Sequence, residues 1–325
     1  MHGKFDRRSV LKTLGAGAAL ASLPVRAQDA GLIRAISAYP PGGLTDLYYR
    51  PLWQIVSEML GQKIIIESKA GAWGAIALDY VAKAPPDGRT LMHFYGSMFL
   101  TPYLEPTNYD LMSDFTYIVA MGETPYGIAV AANSRYRTLD DLFAAARARP
   151  GQLNYAIAGV GTGGHVQFEE TLLKRGLKMT AVPYKGVEYI PALMGGHVDI
   201  AVGGTSWGPQ VAAGQLRVLA YYTRERLPSY PNVPAGPEVG LDVGDPYVLA
   251  LVGPKGMSAQ TVRSIHDVVK RAIDVPAMDK VRAQSGTPKA YMGSAEFAAF
   301  AQRTFAAKGE LLARLGLATH KPFRR

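Results

Sequence analysis

The sequence predicts an α/β protein of two domains, each a mostly parallel sheet flanked by helices, joined by a hinge that the chain crosses twice. Three observations carry this. Strand-like apolar runs alternate with helix-like amphipathic runs along the chain, as right-handed crossovers onto a parallel sheet require. The alternation comes in two similar runs, separated by an apolar stretch from Phe115 to Ala132 that is interrupted at Glu123-Thr-Pro125. Two glycine-rich turns, Tyr39-Pro-Pro-Gly-Gly-Leu-Thr-Asp46 and Tyr155-Ala-Ile-Ala-Gly-Val-Gly-Thr-Gly-Gly-His165, each leave a strand and open a helix, one in each run.

In order, Ile33 to Tyr39 reads as a strand, Asp46 to Leu60 as a helix and Lys63 to Glu67 as a short buried strand. A helix from Ala75 to Lys83 and a strand from Thr90 to Phe94 complete a βαβαβ unit. Thr138-Leu-Asp-Asp, a helix start with acidic residues in its first turn, opens the second run. Strands follow at Leu153–Ala158, Met179–Pro183, Val198–Val202 and Arg217–Tyr222, with helices at His165–Arg175 and Tyr189–Met194. A Pro-rich stretch from Leu227 to Pro237 leads to a strand at Tyr247–Val252, then helices at Ala259–Ile273, Pro276–Ser285 and Ser294–Leu315. The hinge crossings fall near Tyr126–Ala131 and Asp245–Val252. One domain is therefore expected over 28–127 plus 248–325 and the other over 128–247.

The first 27 residues read as an export signal. Asp6-Arg-Arg-Ser-Val-Leu-Lys12 is a twin-arginine sequence, Leu14 to Leu23 is modestly apolar, and Val25-Arg-Ala27 fits small-x-small cleavage, so the mature chain is expected to start at Gln28 in the periplasm. The apolar run is about half the roughly 20 residues that span a bilayer. The segment carries five basic residues against Asp6, a net of +4, so the +9 of the whole chain falls to about +5. No Lys/Arg cluster is interleaved with aromatics, which argues against a nucleic-acid partner and leaves a mild field favouring organic anions. With no Cys, disulfides, thiol nucleophiles and thiolate metal sites are excluded.

A helix N-terminus preceded by Gly exposes unpaired N–H groups at the positive end of the helix dipole, and two such turns suit an anion gripped from both sides of a cleft. In the first turn Gly42 and Gly43 allow close backbone approach, Leu44 makes the site less polar, and Thr45 or Asp46 can cap the helix. An ordinary capped βα turn is the alternative. A carboxylate repels an anion, so Asp46 is expected on backbone N–H groups or a water. The second turn, with Gly159, Gly161, Thr162, Gly163 and Gly164, matches the G-x-G-x-x-G dinucleotide pattern, which keeps a cofactor-dependent exported enzyme as the competing reading. Against it, the next strand ends Val182-Pro-Tyr-Lys185, without the acid that would hold a ribose. His165 suits a ligand or water contact as well as a base. No G-x-S-x-G, H-E-x-x-H or P-loop is present and the six His are scattered, so no catalytic residue, metal or cofactor is expected.

Taken together, Pro40-Pro-Gly-Gly-Leu-Thr-Asp46, Leu60-Gly-Gln62, Lys69-Ala-Gly-Ala-Trp-Gly74, Ala84-Pro-Pro-Asp-Gly88, Pro150-Gly-Gln-Leu-Asn-Tyr155, Gly159-x-Gly-Thr-x-x-His165, Pro183-Tyr-Lys-Gly186, Gly195-Gly-His-Val-Asp199, Gly214-Gln-Leu-Arg217 and Leu227-Pro-x-x-x-x-Val-Pro234 resemble the Bug family. These are extracytoplasmic solute receptors of tripartite tricarboxylate transporters. The resemblance, from about Ile33 to Leu315, implies a two-domain, type II-like periplasmic binding protein that is a monomer and no enzyme. It implies closure on a small carboxylate, without a cofactor, and delivery to membrane permease subunits or, in unpartnered members, to a sensor. The ligand turns would fall on Gly42–Asp46 and Gly159–His165, with Gly43, Thr45, Gly161 and Thr162 foremost. Members that take amino acids often carry an Asp where this chain has Gly203, followed by Gly204 and Thr205, so an ammonium would lack its counter-charge. Trp73 stands where Gly is usual, either as a surface Trp or as an aromatic wall helped by Tyr39, Tyr95 or Trp207. The expected ligand is a carboxylate with an apolar or aromatic body.

Overall fold

The computed structural model describes residues 31–324; the twin-arginine segment lies outside them. In chain order the strands are β1 (Ile33–Ser37), β2 (Ile64–Ser68), β3 (Thr90–Tyr95), β4 (Phe115–Glu123), β5 (Gly127–Ala131), β6 (Asn154–Ile157), β7 (Thr180–Pro183), β8 (Ile200–Gly203), β9 (Leu216–Tyr221) and β10 (Val248–Pro254). The helices are α1 (Arg50–Leu60), α2 (Ala75–Ala82), α3 (Thr101–Leu104), α4 (Leu139–Ala148), α5 (Gly163–Arg175), α6 (Tyr189–Met194), α7 (Gly208–Ala212), α8 (Ala259–Ile273), α9 (Pro276–Ser285) and α10 (Ser294–Arg314).

Two five-stranded sheets form, in the orders β2-β1-β3-β10-β4 and β7-β6-β8-β5-β9. Each has three parallel strands, then an antiparallel strand inserted beside the third, then an outer strand. The exchange is reciprocal. Strand β5 enters the second sheet directly after the first crossing at Thr124–Tyr126, and β10 enters the first sheet directly after the return. The two lobes thus share one topology, with β1 and β6 in equivalent positions.

Strand β3 is buried along its whole length, as are nearly all residues of β4, β5, β8, β9 and β10. Their continuous apolar runs reflect helices covering both faces. The expectation of a buried second strand is corrected: β2 lies at the sheet edge and is only half-buried. Helix α4 begins with a reciprocal capping box, Thr138 accepting from the Asp141 amide and Asp141 accepting from that of Thr138. Helix α1 ends on Gly61 in the left-handed conformation, which leaves no Cβ to clash. An apolar seam of Leu100, Val166, Tyr247, Leu311 and Leu312 joins α10 and the return crossing to α5.

Candidate functional site

The two glycine-rich turns occupy equivalent places, directly after β1 and β6, and share a local device. In the first, the Gly42 amide donates to Oδ2 of Asp46, four residues on; in the second, the Gly161 amide donates to Nδ1 of His165 at 3.0 Å, again four residues on. These two amides are therefore satisfied inside their turns. The amides that open the helical segments are not. Among the described residues Gly43, Leu44 and Thr45 in one lobe, and Gly163, Gly164 and His165 in the other, donate to no protein acceptor. Each triplet supplies the unpaired donors that sequence spacing implied.

The side chains that lock the turns are electrostatically quiet. Asp46 is held below the ordinary carboxylate range, first by the Gly42 amide and then by Arg50, whose Nε lies 2.8 Å away. Burial pushes the His165 imidazole down to about 4, so it is neutral; accepting at Nδ1 places its proton on Nε2. A carboxylate entering the cleft thus meets one carboxylate already neutralised by Arg50 and an uncharged ring.

The predicted hydroxyls have other duties. Thr45 is buried in a chain that runs from Ser37 Oγ through Thr45 Oγ1 to Tyr95 Oη, each step 3.0 Å. Thr162 Oγ1 donates to the Gly159 carbonyl at 2.9 Å. Thr205 Oγ1 donates at 2.6 Å to the Ser285 carbonyl of α9, tying the loop after β8 to the first lobe. Trp207 does not join the aromatic wall: it is fully buried in the second lobe, its indole N–H donating to Tyr221 Oη at 2.9 Å. Over Gly203 lies Tyr189, whose hydroxyl would stand 2.3 Å from a Cβ added there. The place of the expected acid is covered by a phenol.

Trp73 sits where the lobes meet. Its backbone is left-handed (φ 51°, ψ 27°), a conformation shared among the non-glycine residues described only with its neighbour Ala72. Thr101 Oγ1 donates to the Trp73 carbonyl at 2.7 Å and fixes it. The indole reaches across to the second turn, where a Cβ added to Gly159 would lie 2.5 Å from its Cη2. The other glycines of that turn are matched in the same way. A Cβ at Gly161 would meet Leu104 Cδ1 at 2.5 Å, one at Gly163 would meet Tyr126 and Tyr247 at 2.7 Å, and one at Gly164 would meet Tyr126 at 2.9 Å. The G-x-G-x-x-G spacing has a physical reason unrelated to a dinucleotide: every glycine admits a side chain from the facing lobe or the hinge. Tyr39, half-exposed, packs edge-to-face on Tyr95 at 4.8 Å and completes the first-lobe rim.

Tyr126 and Tyr247 are the residues that sequence reading missed. They lie at the two hinge crossings, 5.1 Å apart and edge-to-face, and a signal existed only in Tyr126 following Thr124-Pro125 at the break in the apolar run. Among the described residues no His/Asp/Glu cluster is placed to hold a metal, and no helix is long and apolar enough to cross a membrane.

Two lobes of common topology, each with an amide-bearing turn in the equivalent place, define the class: a two-domain periplasmic binding protein. The comparisons place it further. Residues 49–317 match the model of the tripartite tricarboxylate transporter family receptor, and the chain belongs to that family of solute receptors, which are not enzymes. It is 33% identical over 319 residues to a UPF0065 protein from the gbd 5' region of Cupriavidus necator, covering 97% of this chain and 98% of that one. Protein BugT of Bordetella pertussis is 29% identical over 264 residues, covering 79% and 81%. Among solved structures, that of R. palustris Rpa4515 with adipate superposes with a TM-score of 0.79 at 26% identity, covering 90% of this chain and 99% of that one. The Bug resemblance is thereby established, as is the two-domain fold.

Proposed function

We propose that the protein is a periplasmic receptor that closes on a carboxylate with an apolar or aromatic body, held between the amide triplets Gly43–Thr45 and Gly163–His165. The observation that carries this is the pairing itself: equivalent turns in both lobes each leave three N–H groups without a protein acceptor. The adipate held by Rpa4515 supports the carboxylate. Trp73 and Tyr39 supply the apolar wall, and the phenol over Gly203 offers no counter-charge, so an ammonium loses several kcal/mol of pairing on the order of a desolvated ion. The domains run over 28–127 plus 248–325 and over 128–247. Export follows the twin-arginine route, and the protein works as a monomer that passes its ligand to transporter permease subunits.

The test is a thermal-shift and calorimetric screen of the purified mature chain against adipate, malate, phenylacetate, benzoate and glutamate, since a tight ligand stabilises by mass action. Phenylacetate or benzoate should shift the melting temperature most and glutamate least. Gly43 supplies the control: it has ordinary φ and open space around its added Cβ, so Gly43→Phe fills the cleft without straining the fold. This variant should keep the apo melting temperature and weaken carboxylate binding at least about tenfold. Wild-type affinity in Gly43→Phe, or a preference for glutamate, overturns the reading.

A further inference from the structure

Of the six buried side-chain polar atoms without a partner among the described residues, two lie at the hinge crossings. The Tyr247 hydroxyl is fully buried in a residue only 3% exposed, and it has no hydrogen-bond partner; the Thr124 hydroxyl on the other crossing is likewise buried and unpaired. Tyr126 Oη would stand 2.8 Å from a Cβ on Gly163 and Tyr247 Cε1 would stand 2.7 Å from it. Both rings therefore press against the first turn of α5, a thirteen-residue helix whose opening amides are also unpaired. Buried hydroxyls ordinarily find partners, and an orphan retained in a well-packed interior marks either strain or a missing acceptor. Here the orphans sit beside orphan donors, so what is missing is an acceptor.

We infer that Tyr126 and Tyr247 are ligand-positioning residues whose phenol hydroxyls, with the Gly163 and Gly164 amides, bind an acceptor oxygen of the ligand carboxylate at the hinge. This rests on the carboxylate reading above and assigns its second half to residues outside both glycine-rich turns. Two features fit an anionic acceptor. The Lys308 ammonium lies 4.6 Å from the Tyr247 ring centroid, strengthening the phenol as a donor, and burial raises the Tyr126 phenol well above its ordinary range, so it keeps its proton to donate. The placement also links ligand to motion. Thr124 N–H donates to the Tyr247 carbonyl at 2.7 Å, joining the two crossings, so an oxygen bound on the phenols is held by the hinge and by the second lobe together.

The experiment compares Tyr126→Phe, Tyr247→Phe and Gly43→Phe in the mature full chain, by calorimetry with adipate and phenylacetate and by melting temperature without ligand. The Phe variants keep both rings, so packing is preserved. Each tyrosine variant should weaken binding of the carboxylate that wild type takes by at least about tenfold, as for loss of a hydrogen bond to a charged group, with an apo melting temperature no lower than wild type, and for Tyr247→Phe equal or higher because an orphan hydroxyl has gone. A merely structural role gives the reverse, a lowered melting temperature with unchanged affinity. Unchanged affinity in both tyrosine variants while Gly43→Phe still loses binding overturns this inference and leaves the carboxylate reading standing. No binding of either probe by wild type, or full binding by Gly43→Phe, overturns both.

Discussion

Substituting Gly159 by Ala should open the cleft, and removing the Trp73 ring should close it again. Two costs fall on Gly159→Ala. The backbone is at φ +147°, a region nearly closed to L side chains, which costs on the order of 1–3 kcal/mol. The new Cβ lies 2.5 Å from Trp73 Cη2 and 3.4–3.5 Å from the next two ring atoms. The nearest contact is about 1 Å inside normal carbon separation, and overpacking of this kind costs roughly 1–3 kcal/mol. The first cost remains whatever the lobes do, whereas the second vanishes if they part. Gly159→Ala should therefore shift the apo protein toward a more open shape, raise its radius of gyration in small-angle scattering, and weaken carboxylate binding between about fivefold and a hundredfold. Trp73→Gly removes the steric part, relieves the left-handed backbone at that position and takes away the apolar wall, so its rescue is read on the apo protein and not on affinity. In a double-mutant cycle on the apo protein, read by unfolding free energy and radius of gyration, the pair should show about 1–3 kcal/mol of coupling, with Trp73→Gly undoing the opening that Gly159→Ala causes. If the double variant stays as open as Gly159→Ala alone, the indole is not what Gly159 accommodates.

Two pH dependences of opposite sign follow from the buried groups. The His165 value near 4 lies below its unfolded value of 6.5, so the folded state favours the neutral ring, and roughly 3 kcal/mol of stability is lost as pH falls from about 6.5 to 4. His165→Asn, which keeps an acceptor for the Gly161 amide, should flatten that part of a urea-unfolding profile; an unchanged slope refutes the assignment. Burial pushes the Glu123 carboxyl at the first crossing up to about 7 against the opposing Arg224, so its stabilisation is present below 4.5 and lost as pH rises through 7. Glu123→Gln should exceed wild type in stability at pH 8 and match it at pH 4, measured the same way. Equal profiles for the two proteins would show that the carboxyl is hydrated.

The legibility of the fold and the site differed for a physical reason. Strand and helix periodicities are local, so the alternation, the helix start at Thr138 and helices such as Ala259–Ile273 and Pro276–Ser285 could be read directly. Burial of β2 could not, because a run of three isoleucines fits an edge strand half-covered by α1 as well as a central one. Periodicity extends one helix from Asp46 to Leu60, whereas Thr45–Tyr49 winds as a π-helical turn before α1 begins. Unpaired amides at the glycine-rich turns follow from helix geometry alone and were anticipated at both places.

What the sequence by itself determined was thus the α/β alternation, the two equivalent turns and the absence of cysteine and of any recognisable catalytic constellation. Only the tertiary structure decided which donors remain free. The Gly42 and Gly161 amides are taken by side chains four residues on and the Thr45 hydroxyl by Ser37 and Tyr95, while the space beside the glycines of the second turn is filled by Trp73, Leu104, Tyr126 and Tyr247. Those partners come from up to 86 residues away in the chain. Spacing along the chain encodes which groups each turn can offer; packing across the hinge settles which of them a ligand still finds unclaimed.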